Sequence, residues 1–236
     1  MRLPSLRTML GLKPDPLRDP KLAPHDVGFH ADAFLLRFVG SSMPRMRNFV
    51  ETGCNVGNSI GYVARHFPDV DCFSCEPDPR PRAVAESRLP ADRVWLSPLR
   101  SQEFLPELVR RKPSIVEEPT FFWLDAHGGG FRWPLIEEMQ FILGNFRRFV
   151  VAVDDFLVPG RPDFGFDRYR GQECSHAYVR PHLRRGDVEL HYPTYAVRTS
   201  PRHALRGWGV YSRWDGRPWD ESIDFLTAAD WDHAAR

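Results

Sequence analysis

Five acidic residues end short apolar runs in this chain: Glu51, Glu76, Asp125 and the adjacent pair Asp154-Asp155. Glu51 is followed by a turn with glycines at Gly53 and Gly57, and then by a helical pattern. A strand that feeds a tight glycine loop and opens onto a helix N-terminus lets backbone amides approach a nucleotide-like ligand. Glu76 stands 25 residues past Glu51, where an acid accepts hydrogen bonds from both hydroxyls of a ribose. These features imply a cofactor containing adenosine. Asp125, Asp154 and Asp155 are hard oxygen donors. Gathered at one sheet edge they repel each other unless positive charge stands between them, and such donors suit Mg²⁺ or another divalent cation. His127 is two residues past Asp125, so an extended run points both side chains to the same side. Asp154 and Asp155 face opposite ways in a continuous strand, so a shared ion requires the backbone to bend there.

The elements that must position these residues alternate regularly. Apolar runs read as strands at 48–52, 71–76, 93–97, 120–125 and 148–154, with helical patterns at 57–67, 79–89, 105–112 and 133–146. Ile60, Val63 and Phe67 form one helical stripe, and Leu135, Met139, Ile142 and Phe146 another. Pro106 suits a first helical turn and Pro113 a stop. The runs TFFWL and FVVAV are apolar throughout, as expected of parallel strands covered on both faces. A helix is expected at 29–39 and another at 172–184, with further strands near 187–192 and 207–212. Residues 156–171 form a long loop, whose Arg161, Phe164, Phe166, Arg168 and Tyr169 are candidates for gripping an acceptor. The predicted architecture is α/β: a doubly wound, mostly parallel, seven-stranded sheet with helices on both faces. Residues 1–47 read as an arm and helix that serve as a lid or subunit contact in a homo-oligomer. Residues 48–212 form the main domain and 213–236 an acidic tail.

The composition narrows the partners. A formal charge of +1 over 236 residues gives no electrostatic case for nucleic acid or a membrane surface. The N-terminus lacks the apolar core of a signal peptide, so a cytoplasmic location is expected. Cys72 and Cys75 have C-x-x-C spacing without a second pair, and with Cys54 and Cys174 they read as buried free thiols rather than a zinc site.

Across 48–212 these motifs resemble the class I S-adenosylmethionine-dependent methyltransferases. That family's first motif is an acid followed by alternate glycines; here it is Glu51, Gly53, Asn55 and Gly57, with Asn55 in place of the middle glycine. The segments FWLDAHGGG (122–130), PLIEEM (134–139) and VVAVDDF (150–156) resemble the divalent-metal-dependent O-methyltransferases that act on sugars of natural products. The resemblance implies S-adenosylmethionine bound by Glu51, Gly53, Asn55, Gly57, Ser59, Glu76, Ser101, Gln102 and Asp125. It implies Mg²⁺ on Asp125, Asp154 and Asp155, with Asp125 and His127 in the catalytic role and His127 the general base. The acceptor is then a small hydroxylated molecule, a saccharide or glycosylated natural product.

Other readings stay open. A metal-independent methyltransferase and a non-catalytic cofactor-binding protein share this fold. A nicotinamide-dependent oxidoreductase favours G-x-G-x-x-G, against Gly53, Gly57 and Gly61 here. Gly57-Asn58-Ser59-Ile60-Gly61 matches the nucleophile elbow of α/β-hydrolases and His127–Gly130 their oxyanion loop, but in the reverse chain order.

Overall fold

The sheet forms where the sequence is most continuously apolar. The computed structural model describes residues 28–126, 133–184, 186–196 and 205–232. Its first five strands are β1 (Asn48–Thr52), β2 (Asp71–Cys75), β3 (Val94–Ser97), β4 (Thr120–Leu124) and β5 (Phe149–Val153). Every residue of β1, β4 and β5 is buried, because these strands occupy the middle of the sheet with both faces covered. The five strands pair in parallel in the order β3-β2-β1-β4-β5. Register puts Thr52 level with both Cys75 and Leu124, and Leu124 level with Val153. The residues that follow these strands therefore emerge side by side along one edge.

The helices between strands lie close to the predicted spans: α2 (Asn58–His66), α3 (Pro79–Arg88), α4 (Ser101–Arg111) and α5 (Leu135–Asn145), after an N-terminal α1 (Ala33–Ser42). Two boundaries differ for physical reasons. In α4 the buried face runs Ser101, Phe104, Leu105, Leu108, which extends the helix one turn upstream and leaves Pro106 inside it. Proline there removes the bond to the Gln102 carbonyl, a cost that is small because Gln102 is exposed to water. Helix α1 begins at Ala33 rather than 29, because the Asp32 carboxylate caps it by accepting from the Phe34 and Leu35 amides.

Beyond β5 the chain departs further from expectation. The helix expected over 172–184 shrinks to α6 (His176–Val179) and a 3₁₀ turn at Arg180–His182. Its first residues instead form β7 (Gln172–Glu173), which pairs with β6 (Arg168–Tyr169) around the left-handed Arg170 and Gly171. Strand β9 (Gly209–Arg213) runs antiparallel to β5, and β8 (Glu189–Pro193) antiparallel to β9. An eighth strand in the main sheet, β10 (Leu226–Ala229), pairs with β8. The sheet thus has eight strands where seven were expected, the extra one coming from the acidic C-terminal segment. Helix α1 is built into the core, with Phe38 against Phe121, Trp208 and Trp219. Cys54, Cys72, Cys75 and Cys174 are all free and buried, and burial pushes the Cys72 thiol up to about 12. No described helix is long and apolar enough to cross a membrane.

Candidate active site

The loop after β1 is shaped by three left-handed residues: Gly53 (φ +79), Asn55 (φ 50) and Gly57 (φ 78). A Cβ on Gly53 would lie 2.8 Å from the Asp125 carbonyl oxygen and 2.9 Å from the Ala126 Cα. Glycine is therefore what lets the segment after β4 lie directly on the loop after β1. Asn55 takes the left-handed region more cheaply than most residues, which accounts for its place in the glycine pattern. The Gly53 and Cys54 amides both donate to the Cys75 carbonyl, at 3.1 and 3.0 Å. The next residue of that strand end, Glu76, accepts from the Asn55 amide at 2.8 Å and the Asp78 amide at 2.9 Å. The acid assigned to a ribose thus also fixes the glycine loop beside it. Burial raises the Glu76 pKa, and these two amides oppose the rise. Glu51 is buried at the end of β1, where the Ser74 hydroxyl donates to its carbonyl and carboxylate oxygens at 2.9 and 3.3 Å. Burial pushes its carboxyl up to about 8.

Other residues expected at a cofactor are placed as follows. Ser101 is buried at the start of α4 and Gln102 is exposed beside it. Ser59 lies in the first turn of α2, where its hydroxyl accepts from the Phe29 amide at 3.1 Å. It is separated from the end of β1 by the whole glycine loop, unlike the serine of a nucleophile elbow. In the long loop, Arg161 is held by Asp163 and by the Tyr195 carbonyl, and Phe164 is buried. Arg168 pairs with Glu173.

Asp125, Asp154 and Asp155 converge, with one carboxylate oxygen from each lying within 4.8 Å of the others. Main-chain bonds set their positions. The Asp125 amide donates to Thr52 and the Asp154 amide to Leu124, both at 3.0 Å, which carries the ladder one step past β4 and β5. The required bend is present: Asp155 has φ 50, and its amide donates to the Asp154 carboxylate at 2.8 Å. One residue in the left-handed region turns the second acid back toward the first. Burial and the neighbouring Asp154 charge raise the Asp125 pKa well above the carboxylate range. The Arg206 Nε lies 3.1 Å from Asp155, and its Nη1 lies 3.4 Å from Asp167. His127 lies outside the described residues.

A residue that the sequence reading passed over completes the cluster. The His30 Nε2 lies 2.6 Å from the Asp154 Oδ2. His30 sits in a turn, Phe29–Ala31, whose three residues all have φ near +55. Left-handed backbone costs roughly 1–2 kcal/mol per non-glycine residue. The turn is held by the Phe29 amide on Ser59 and by the Phe29 ring, which is buried against Trp123, Tyr62 and Phe49. Burying a phenylalanine contributes about 1.5–3 kcal/mol, and each edge-on aromatic pair about 0.5–1.5 kcal/mol more. Packing therefore matches the strain. Gly28 permits it, since a Cβ there would lie 2.5 Å from the Ser59 Cα. Burial works against charging the His30 ring, but Asp154, Asp125 and Asp155 outweigh it and raise its pKa to about 9. In sequence, His30 falls inside the helix expected at 29–39 and belongs to no motif, so only the folded turn reveals its partners.

A separate cavity of about 730 Å³ lies at the opposite, amino edge of the sheet, lined by Arg147, Arg148, Arg213 and Trp214 among others. Two of these guanidinium groups are paired there, Arg147 with Glu117 and Arg213 with Asp187, and none of the five acids reaches that edge.

No family model and no curated protein matches this sequence. Solved structures do. The O-methyltransferase TomG from Streptomyces achromogenes, involved in tomaymycin synthesis and seen in complex with SAM, is 21% identical with a TM-score of 0.55. The match covers 87% of this chain and 85% of TomG. The O-methyltransferase from Bacillus cereus in complex with SAH is 17% identical with a TM-score of 0.52, covering 80% of this chain and 83% of that one. With its acids, glycine loop and strand order in place, this chain has the Rossmann-like α/β fold of the class I methyltransferases.

Proposed function

We propose that this chain is an S-adenosylmethionine-dependent O-methyltransferase, assisted by Mg²⁺ or another divalent cation, that acts on a hydroxyl of a saccharide or other natural product. The observation that carries the reading is the convergence at one sheet edge. Glu76 is bonded to the glycine loop through Asn55, and the Asp125–Asp154–Asp155 cluster lies next along the same edge, with Asp125 packed on Gly53. A nucleoside pocket thereby adjoins a candidate cation site. The two structures described above hold SAM and SAH on this fold. A dinucleotide-binding sheet continues in the order 3-2-1-4-5-6, whereas here the antiparallel β9 intervenes after β5, which favours methyl transfer over hydride transfer.

The residues fit both groups. Glu76 keeps lone pairs for ribose hydroxyls after accepting two amides. Glu51 and Gly53, at the end of β1, would border the methionine end of the cofactor. Three clustered carboxylates, one of them driven toward protonation by burial and by its neighbour, are the donor set that a hard divalent cation relieves. Asp125, Asp154 and Asp155 would hold that ion. S-adenosylmethionine supplies an electrophilic methyl group, and a divalent cation supplies Lewis acidity toward an alcohol. The protein's own tasks are alignment, which can contribute up to about 7–11 kcal/mol, and removal of the hydroxyl proton, assigned to His127. The test is methyl transfer to a panel of sugars, glycosides and diols. Asp154→Ala combined with Asp155→Ala should abolish metal-dependent turnover and spare SAH binding. Full activity in chelator would leave the metal-independent reading instead.

A further inference from the structure

His30 comes from outside the sheet, on a turn whose backbone is held left-handed through three consecutive residues, and its Nε2 reaches 2.6 Å from the Asp154 carboxylate. Its ring is 38% exposed where the Asp154 side chain is 1% exposed, so the imidazole closes the acidic cluster from the solvent side. In a six-coordinate site with bonds of about 2.0–2.2 Å, adjacent ligand atoms stand roughly 3 Å apart. At 2.6 Å the imidazole nitrogen and the carboxylate oxygen form a hydrogen-bonded pair a few tenths of an ångström inside that separation, so a small outward shift of the ring would admit the ion. The geometry points to His30 as a fourth, nitrogen ligand to the cation held by Asp125, Asp154 and Asp155, and so to a site that prefers a first-row transition ion such as Mn²⁺ over Mg²⁺. The inference rests on the metal-centre reading above.

The chemistry of the donor set gives the preference. Carboxylates and water suit Mg²⁺ and Mn²⁺ alike, whereas an imidazole ligand adds affinity along the first transition row, least for Mn²⁺ and more for Fe²⁺, Ni²⁺ or Zn²⁺, and adds little for Mg²⁺. The alternative is that His30 only donates a hydrogen bond to Asp154 and orients it from outside the ion's coordination sphere.

Pulsed EPR of Mn²⁺ bound to the full chain separates these possibilities, because a directly coordinated imidazole imprints ¹⁴N modulation on the Mn²⁺ echo. The comparison uses wild type, His30→Asn and His127→Ala. Asparagine tolerates the left-handed backbone at position 30 and carries no imidazole, and His30→Gln provides a second variant. SAH binding reports that each variant is folded. Nitrogen modulation should be present in wild type and His127→Ala and lost in both His30 variants. Mn²⁺ affinity should fall at least tenfold in the His30 variants, with Mg²⁺ affinity changing less than threefold. Modulation that persists in the His30 variants, or that is missing from Mn²⁺-loaded wild type, overturns the role of His30 and leaves the metal centre standing. Failure of wild type to bind Mn²⁺ at all overturns the metal centre itself.

Discussion

Replacing Glu51 by glutamine should remove much of the pH dependence of folding stability. Glu51 is 1% exposed, and burial raises its carboxyl from an ordinary 4.5 to about 8. Between those values the folded chain keeps a proton that the unfolded chain releases, so the contribution is fully present below about pH 4.5. It is lost as pH rises through about 8. At 1.36 kcal/mol per pKa unit, this group alone should reduce stability by about 3–4 kcal/mol between pH 5 and pH 8. Glutamine keeps the shape and carries no titrating proton. The Ser74 hydroxyl, which now donates to the carboxylate at 3.3 Å, can serve the amide instead. Urea denaturation of wild type and Glu51→Gln at pH 5 and pH 8 measures the effect as a difference of differences, which cancels other groups to first order. Wild type should lose about 3–4 kcal/mol more than the variant over that interval. Equal losses would refute the reasoning, because they would mean that Glu51 ionises in the folded state as readily as in water.

Three shorter predictions accompany it. Glu76→Ala strips the acceptor that ties the Asn55 amide of the glycine loop and the Asp78 amide, and removes the carboxylate assigned to the ribose; at about 1.5–3 kcal/mol for hydrogen bonds to a charged group, SAH affinity measured by calorimetry should fall at least tenfold. Gly53→Ala forces a Cβ to 2.8 Å from the Asp125 carbonyl at φ +79, so its unfolding free energy should drop by at least about 2 kcal/mol. Chelator should have no effect on SAH affinity in the Asp154→Ala, Asp155→Ala double variant, and dialysis against chelator followed by Mn²⁺ titration should detect no remaining high-affinity site.

The central sheet was legible because parallel strands covered on both faces leave a plain trace. TFFWL and FVVAV carry no alternation to mislead, and the acids that stop them mark the strand ends directly. The candidate site was legible as a set of positions, since Glu76, Asp125 and Asp154 directly follow β2, β4 and β5 and Glu51 is the last residue but one of β1. Less was readable where tertiary pairing overrides local pattern. Residues 172–173 carry a weak helical signal that hairpin pairing around Gly171 defeats. The strand Leu226–Ala229 is short, is half exposed and exists because β8 offers an open edge. Proline at 106 argued locally for a helix start, but the buried stripe Ser101, Phe104, Leu105, Leu108 argued more strongly for an earlier one. The bend at Asp155 was deducible only as a requirement. His30 had no local signal, because its role depends on contacts with Ser59, Trp123 and Asp154, far away in the chain.

Calorimetric titration of the full chain with S-adenosylhomocysteine and, separately, with NAD tests the central claim most directly. S-Adenosylhomocysteine should bind at one site per chain with micromolar or tighter affinity, about −8 kcal/mol or better, and lose at least tenfold in Glu76→Ala, while NAD gives no heat of binding. Binding of NAD in place of S-adenosylhomocysteine, or of neither, would contradict the account.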